Sequence, residues 1–263
     1  MTKVYDVYKL IQEKAPFEIQ MDFDNAGFLV GHAEHAIDRI LIALDITESV
    51  IEEAISLGAQ LIVSHHPVIW GGAKSITDQT PTGRKLLLLA EHGIAAICAH
   101  TNLDAAEGGV NDVLAQKLGL TNICQLHQDG IDKQGRPYGI GRVGTVSSRP
   151  LYDFALSVKE ILGSNGIRLV DGGKPVRVVA VGGGSCGNML KDAIAKGCDT
   201  FVTADVKYDS FWDAKALGIN LIDAGHFPTE NVICPVLQQW LMEAFPDVDV
   251  VVSKIHREVF SYI

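Results

Sequence analysis

The chain has 263 residues, of which 47% are hydrophobic and 21% charged, and a formal net charge of −10. Such a chain buries a full core in one large domain or two small ones without disulfide staples. Its acidic balance argues against duplex-DNA binding, which needs a cationic footprint. There is no apolar run of about 18 residues to span a membrane and no leader pattern in residues 1–10. The five cysteines form no CxxC pair, and they read as reduced thiols of a cytoplasmic protein.

In chain order, residues 39–44 (RILIAL) read as a buried strand, and 48–57 as an amphipathic helix that Gly58 stops. A strand over 60–63 ends shortly before Pro67. A helix over 82–91 stops at Gly93, and a strand over 94–99 and a helix over 110–118 follow. Residues 125–175 change character. They are rich in Gly, Asp and Arg, alternate over 138–146, and carry one helix near 152–162, so they read as a small antiparallel connection. The earlier rhythm then resumes: strand 176–181, helix 187–196, strand 200–203, helix 208–217, strand 219–222, helix 231–244 and strand 248–252. This alternation predicts an α/β fold of parallel β-α-β units with helices on both faces. The expected organisation is an N-terminal lobe over 1–124, the connection over 125–175, and a C-terminal lobe over 176–263, together one compact unit.

The two halves read as copies. Residues 39–65 match 177–203 in element order and turn position. Further on, a helix, a glycine, a strand and a histidine recur, ending in His100 in one half and His226 in the other. Each is followed four residues later by a carboxylate, Asp104 and Glu230.

Chemistry gathers at strand ends. His65 and His66 close an apolar strand (LIVSHHP), and ligands of open parallel sheets collect beyond the carboxyl ends of strands. Neighbouring side chains of extended backbone point to opposite sides, so the two imidazoles serve two centres, or one if the strand turns at once. His100, Asn102 and Asp104 follow a second strand, and His226 and Glu230 a third. Helix capping would explain one of Asn102 and Asp104, and a helix N-terminus would explain Glu230 alone, but neither explains the clusters. Imidazole and carboxylate together suit first-row divalent cations. The donors exceed what one tetrahedral ion with an open position requires and suit two ions that activate water.

Gly182, Gly184 and Gly187 fit G-x-G-x-x-G after a strand, a pattern that holds a dinucleotide pyrophosphate. The acidic strand tip of that motif is missing, so a loop permitting close helix–strand approach is the favoured reading. Asp24 opens a polar turn. Lys207 and Tyr208 are candidates to position a substrate. His32, His35, His92, His127 and His256 show no partner pattern.

The blocks DNAGFLVG (24–31), SHHP (64–67), HTNLD (100–104), TADVKY (203–208) and GHFPTE (225–230), in this order over nearly the whole chain, resemble the Nif-three-like family. Its members are often labelled GTP cyclohydrolase 1 type 2 homologues. The resemblance implies two related α/β lobes with a di-metal site between them, and a toroidal homohexamer. Residue by residue, it places the metal ligands on His65, His66, Asp104, His226 and Glu230, holding two divalent ions per subunit (Zn, Fe, Mn or Ni). His100 falls on a further retained histidine, expected near the metals as a catalytic proton carrier rather than a ligand. The implied activity is a di-metal-dependent hydrolase acting on a nucleotide or related heterocycle by metal-activated water. The alternative is a non-enzymatic, metal-binding regulatory hexamer that binds partner proteins. At this length the chain resembles the family's short form. Phe23, Ala204 and Asp209 depart from the residues usual at their positions, which bears on substrate identity rather than on the ligands.

Overall fold

The computed structural model describes all 263 residues in a mixed α/β fold. The chain divides into two units, Met1–Leu103 with Ile233–Arg257, and Asp104–Val232 with Glu258–Ile263.

The first unit runs through α1 (Val4–Lys14), β1 (Gly27–Val30), β2 (Arg39–Ala43), α2 (Glu48–Leu57), β3 (Leu61–Ser64), α3 (Pro81–Glu91) and β4 (Ala95–Cys98). The chain leaves it within α4 (Thr101–Ala105). The second unit contains α5 (Val110–Lys117), β5 (Thr121–Gln125), the short pair β6 (Gly130–Ile131) and β7 (Pro137–Tyr138), and β8 (Arg142–Arg149). It continues with α6 (Leu151–Leu162), β9 (Arg168–Val170), β10 (Val176–Val181), α7 (Leu190–Ala195), β11 (Thr200–Thr203), α8 (Tyr208–Leu217), β12 (Asn220–Asp223) and α9 (His226–Glu230). The chain then returns to the first unit with α10 (Cys234–Ala244) and β13 (Asp249–Val252).

The first unit's sheet has the order β1-β4-β3-β2-β13. β13, β2, β3 and β4 are mutually parallel, and β1 is antiparallel on the edge. Strands buried on both faces need unbroken apolar runs, and β2 and β3 supply them with Ile40, Leu41 and Ile42, and Leu61, Ile62 and Val63. Leu41 and Ile62 pack with Val50, Ile51 and Leu89 of the flanking helices. Local signals set the helix ends. The Thr47 hydroxyl accepts the Val50 amide at 3.1 Å to open α2, and Gly58 closes it in the left-handed region at φ 65°.

The second unit's sheet has the order β5-β8-β10-β11-β12-β9. Its centre, β10-β11-β12, is parallel, while β8 and β9 join it antiparallel. Val179, Val202 and Ile222 pack with Leu114, Phe154 and Val158. β10-β11-β12 thus repeats β2-β3-β4, with helices between the strands and a five-residue helix after the third. An antiparallel strand flanks the third in each case, β1 on β4 and β9 on β12. The two units are related α/β lobes, as the internal repeat implied.

The boundaries expected at residues 124 and 176 differ from this division. The chain changes unit near residue 103, and β13, expected in the C-terminal lobe, pairs with β2 in the first unit's sheet. The segment 125–175, expected as a small connection, builds β8 and β9 into the second sheet. The helix expected over 231–244 begins at Cys234, after a 3-10 turn over Asn231–Ile233. That over 187–196 begins with the 3-10 turn Gly187–Met189. No helix is long and apolar enough to cross a membrane.

Candidate metal centre

In the first unit, β3 and β4 run parallel, so their C-terminal ends deliver His65, His66 and His100 to the same edge of the sheet. One ring nitrogen from each lies within 4.8 Å of the others. His65 is fully buried, His66 is half-buried and His100 is buried. The ring centroids are 5.0–5.4 Å apart.

Each of these rings is fixed through Nδ1 to a group that can only accept. His65 Nδ1 donates to the Ala99 carbonyl at 2.8 Å, His66 Nδ1 to Asp45 at 2.7 Å, and His100 Nδ1 to Asp24 at 2.8 Å. A proton held on Nδ1 leaves the lone pair of a neutral imidazole on Nε2, the tautomer a metal ligand needs. Asp24 also accepts the Thr101 amide at 3.0 Å and the Thr101 hydroxyl at 2.5 Å. Burial works against its charge, yet the hydrogen bonds of His100 and Thr101 hold its carboxyl well below the usual range. Asp45 is likewise disfavoured by burial and held low by His256 and His66. His256 donates to Asp45 at 2.9 Å, so a histidine with no partner pattern in the sequence proves to brace the carboxylate behind His66.

In the second unit, His226 opens α9 and Glu230 closes it one turn later, the spacing that puts two side chains on one helix face. His226 Nε2 lies 2.9 Å from Glu230 Oε2, and Nδ1 donates to Asp205 at 2.7 Å. Asp205 holds a positive φ of 51°, a left-handed conformation that Asp tolerates better than most side chains. Burial disfavours the His226 cation, but Glu230 and then Asp205 outweigh it and raise the imidazole to about 9. Asp104 is buried and starts the second unit. The Cys186 thiol is pushed up by burial and then by the charges of Asp104 and Glu230.

The glycine loop after β10 settles its own role. The amides of Gly182, Gly183 and Gly184 bond to Val202 O at 2.9 Å, Asn111 Oδ1 at 2.9 Å and Thr229 Oγ1 at 3.0 Å. They are committed within the protein rather than offered to a pyrophosphate. Close approach is the reason for the glycines: a Cβ on Gly184 would stand 1.9 Å from Glu230 Oε1 and 3.2 Å from His226 Nε2. The loop is a cradle for those two side chains.

The three imidazoles of the first unit, with the right tautomer fixed, could hold a metal ion, and the second unit offers an imidazole beside buried carboxylates. Lys207 and Tyr208 stand exposed at the start of α8. Sequence reasoning missed Asp45, weighed Asp205 only as an acid for the glycine-rich loop and not as the partner of His226, and left Asp24 as a turn residue, because what marks them is an acceptor brought to a ring from a distant stretch. Four of the five cysteines are buried and all are free thiols.

The family model described as Duf34/NIF3 (NGG1p interacting factor 3) matches residues 2–258. A Clostridium perfringens protein called GTP cyclohydrolase 1 type 2 homolog is 34% identical, over 99% of this chain and all of its own. A relative of the same name from Streptococcus pneumoniae is 31% identical over 98% of each. A Halalkalibacterium halodurans relative is 28% identical over an alignment of 364 positions, so it carries inserted sequence that this chain lacks. Among solved structures, a Staphylococcus aureus hypothetical protein superposes with a TM-score of 0.93 at 31% identity, over 99% of both chains. A Bacillus cereus protein related to NIF3 gives 0.93 at 26% identity, over 100% of this chain and 99% of its own.

Proposed function

Because the chain belongs to the Duf34/NIF3 family, we propose that it is a di-metal-dependent hydrolase acting on a nucleotide or related heterocycle. In this reading His65, His66, Asp104, His226 and Glu230 together hold two divalent cations. The observation that carries it is the shared setting of four imidazoles: each Nδ1 donates to a carbonyl or carboxylate, which commits Nε2 to ligation or proton transfer. A structural histidine needs no such uniform arrangement.

Bound cations would supply Lewis-acid polarisation and activation of water. The chain's own residues do the rest. Ala99 and Asp45 aim His65 and His66. Asp205 aims His226, and Gly184 leaves room for Glu230. His100, aimed by Asp24, carries a proton at Nε2 to or from the reacting group, and Asp24 keeps its tautomer. The name shared by the curated relatives, GTP cyclohydrolase 1 type 2 homolog, makes GTP the first substrate to try. A cytoplasmic homohexamer completes the reading.

A second reading is a metal-holding protein that binds partners. Two observations favour it: the words "interacting factor" in the family description and the exposed Tyr208 and Trp212 of α8. Elemental analysis of anaerobically purified protein, with native mass spectrometry and a nucleotide and phosphoester panel, separates the two. We expect about two cations per chain, far fewer in a His65→Ala, Glu230→Ala variant, and turnover only of the loaded form. A loaded protein inert across the panel favours the second reading, and a chain that stays empty when offered Mn, Fe or Zn removes both.

A further inference from the structure

Between β3 and α3 the chain makes a long excursion over residues 65–80. Its first part is pinned. The His66 amide donates to the Leu44 carbonyl at 2.9 Å, the Ser64 hydroxyl to the His66 carbonyl at 2.8 Å, and the Asn25 side chain to the Ile69 carbonyl at 2.8 Å. Pro67 and Val68 are buried. Directly beyond this anchored stretch stands Trp70, and after it come Gly71 and Gly72, both at positive φ and both in open space.

Trp70 is 55% exposed. Single exposed apolar side chains are ordinary and need no explanation. Trp70 differs in its surroundings. Its ring centroid is 5.1 Å from that of His100, in a T-shaped pair, and 6.4 Å from that of His66. The indole therefore rests on two histidines of the candidate centre while most of its surface faces outward. Its base is immobilised, so little conformational freedom is lost when something packs on it. A large, rigid π-face beside polar, proton-handling groups is what a planar aromatic ligand uses, and a simple phosphoester gains nothing from it.

We propose that Trp70 is a specificity-determining residue that stacks on the heterocycle of the substrate and so selects a base-bearing ligand over a bare phosphate. The proposal rests on the nucleotide reading above. It also gives the loop a reason to be rigid before Trp70 and glycine-rich after it: the platform is fixed, and the chain beyond it yields to the ligand.

The test uses the full-length, manganese-loaded protein and two probes, GTP and tripolyphosphate, which share the anionic chain but not the base. Affinities are measured by calorimetry for wild type, Trp70→Ala and Trp70→Phe. Trp70→Ala is expected to weaken GTP about 10- to 100-fold, the range of a lost stacking contact, and to leave tripolyphosphate unchanged. Trp70→Phe keeps most of the GTP affinity. The chain has three tryptophans, and GTP should quench fluorescence in wild type but not in Trp70→Phe, although that variant still binds. If Trp70→Ala weakens both probes alike, or neither, the stacking role is overturned while the nucleotide reading stands. If wild type binds tripolyphosphate but gains nothing from the base, the nucleotide reading itself fails and takes the Trp70 role with it.

Discussion

Gly184 shows how one missing atom can organise a site. Its φ of +62° is open to few side chains, and a Cβ would press on the Glu230 carboxylate and crowd His226. Gly184→Ala should therefore act twice. Backbone strain costs about 1–3 kcal/mol of stability, and displacement of Glu230 lowers cation affinity about 10- to 100-fold, as for other groups that support a ligand. Calorimetric titration with Mn(II) and urea unfolding measure the two effects separately. Unchanged affinity in a folded variant would mean that Glu230 has room to move and that the cradle is incidental. At this scale the sequence was only half legible. Paired histidines at a strand end and a His-x-x-x-Glu spacing stand out in one dimension. The acceptors behind them do not: Asp24 lies 76 residues from His100, and Asp45 and Asp205 each lie 21 from the ring they hold. Only folding reveals that pairing.

α4 and α9, which carry the proposed ligands Asp104, His226 and Glu230, are the shortest α-helices and have the least intrinsic stability. A five-residue helix cannot offset its own nucleation cost in water, so tertiary hydrogen bonds must hold it. Asn111, fully buried in α5, is one such brace: its Nδ2 donates to the Asp104 carbonyl and its Oδ1 accepts the Gly183 amide, each at 2.9 Å. Asn111→Ala strands a donor and an acceptor in a dry interior, and each stranded group costs about 1–3 kcal/mol. We expect a large drop in the urea midpoint together with weaker cation binding. A variant as stable as wild type would show that water enters and replaces the amide. Legibility followed element length and periodicity. α2, α8, β10 and β11 match their expected spans, because glycine stops and apolar runs coincide there. α1 was missed although Val4, Val7 and Ile11 form a buried helical stripe that periodicity could have found. β9 offered no such signal. It is three residues long and is fastened by Arg168 to Asp223, a tertiary event.

For the molecule as a whole, the cation proposed above would compete with a proton for the same charge. The chain is acidic overall, and in the cation-free protein the proton on His226 partly answers the carboxylates of Glu230 and Asp205. Its folded value, raised to about 9 from an ordinary 6.5, fixes the sign of the linkage. The stabilisation from this raised value is fully present below about 6.5 and is lost as pH climbs through about 9. A divalent cation needs the neutral ring, so the loaded protein moves the other way: binding tightens as pH rises over the same window and releases a proton. The two states should therefore diverge. Differential scanning calorimetry at pH 6.5, 7.5 and 8.5 is expected to show the cation-free melting temperature falling and the gap to the loaded form widening. A cation held at 100-fold over its dissociation constant adds about 2.7 kcal/mol. Isothermal titration in buffers of different ionisation enthalpy should detect the released proton at neutral pH. If uptake releases none and the gap is flat with pH, His226 is not where the cation displaces a proton, and its place among the ligands is lost.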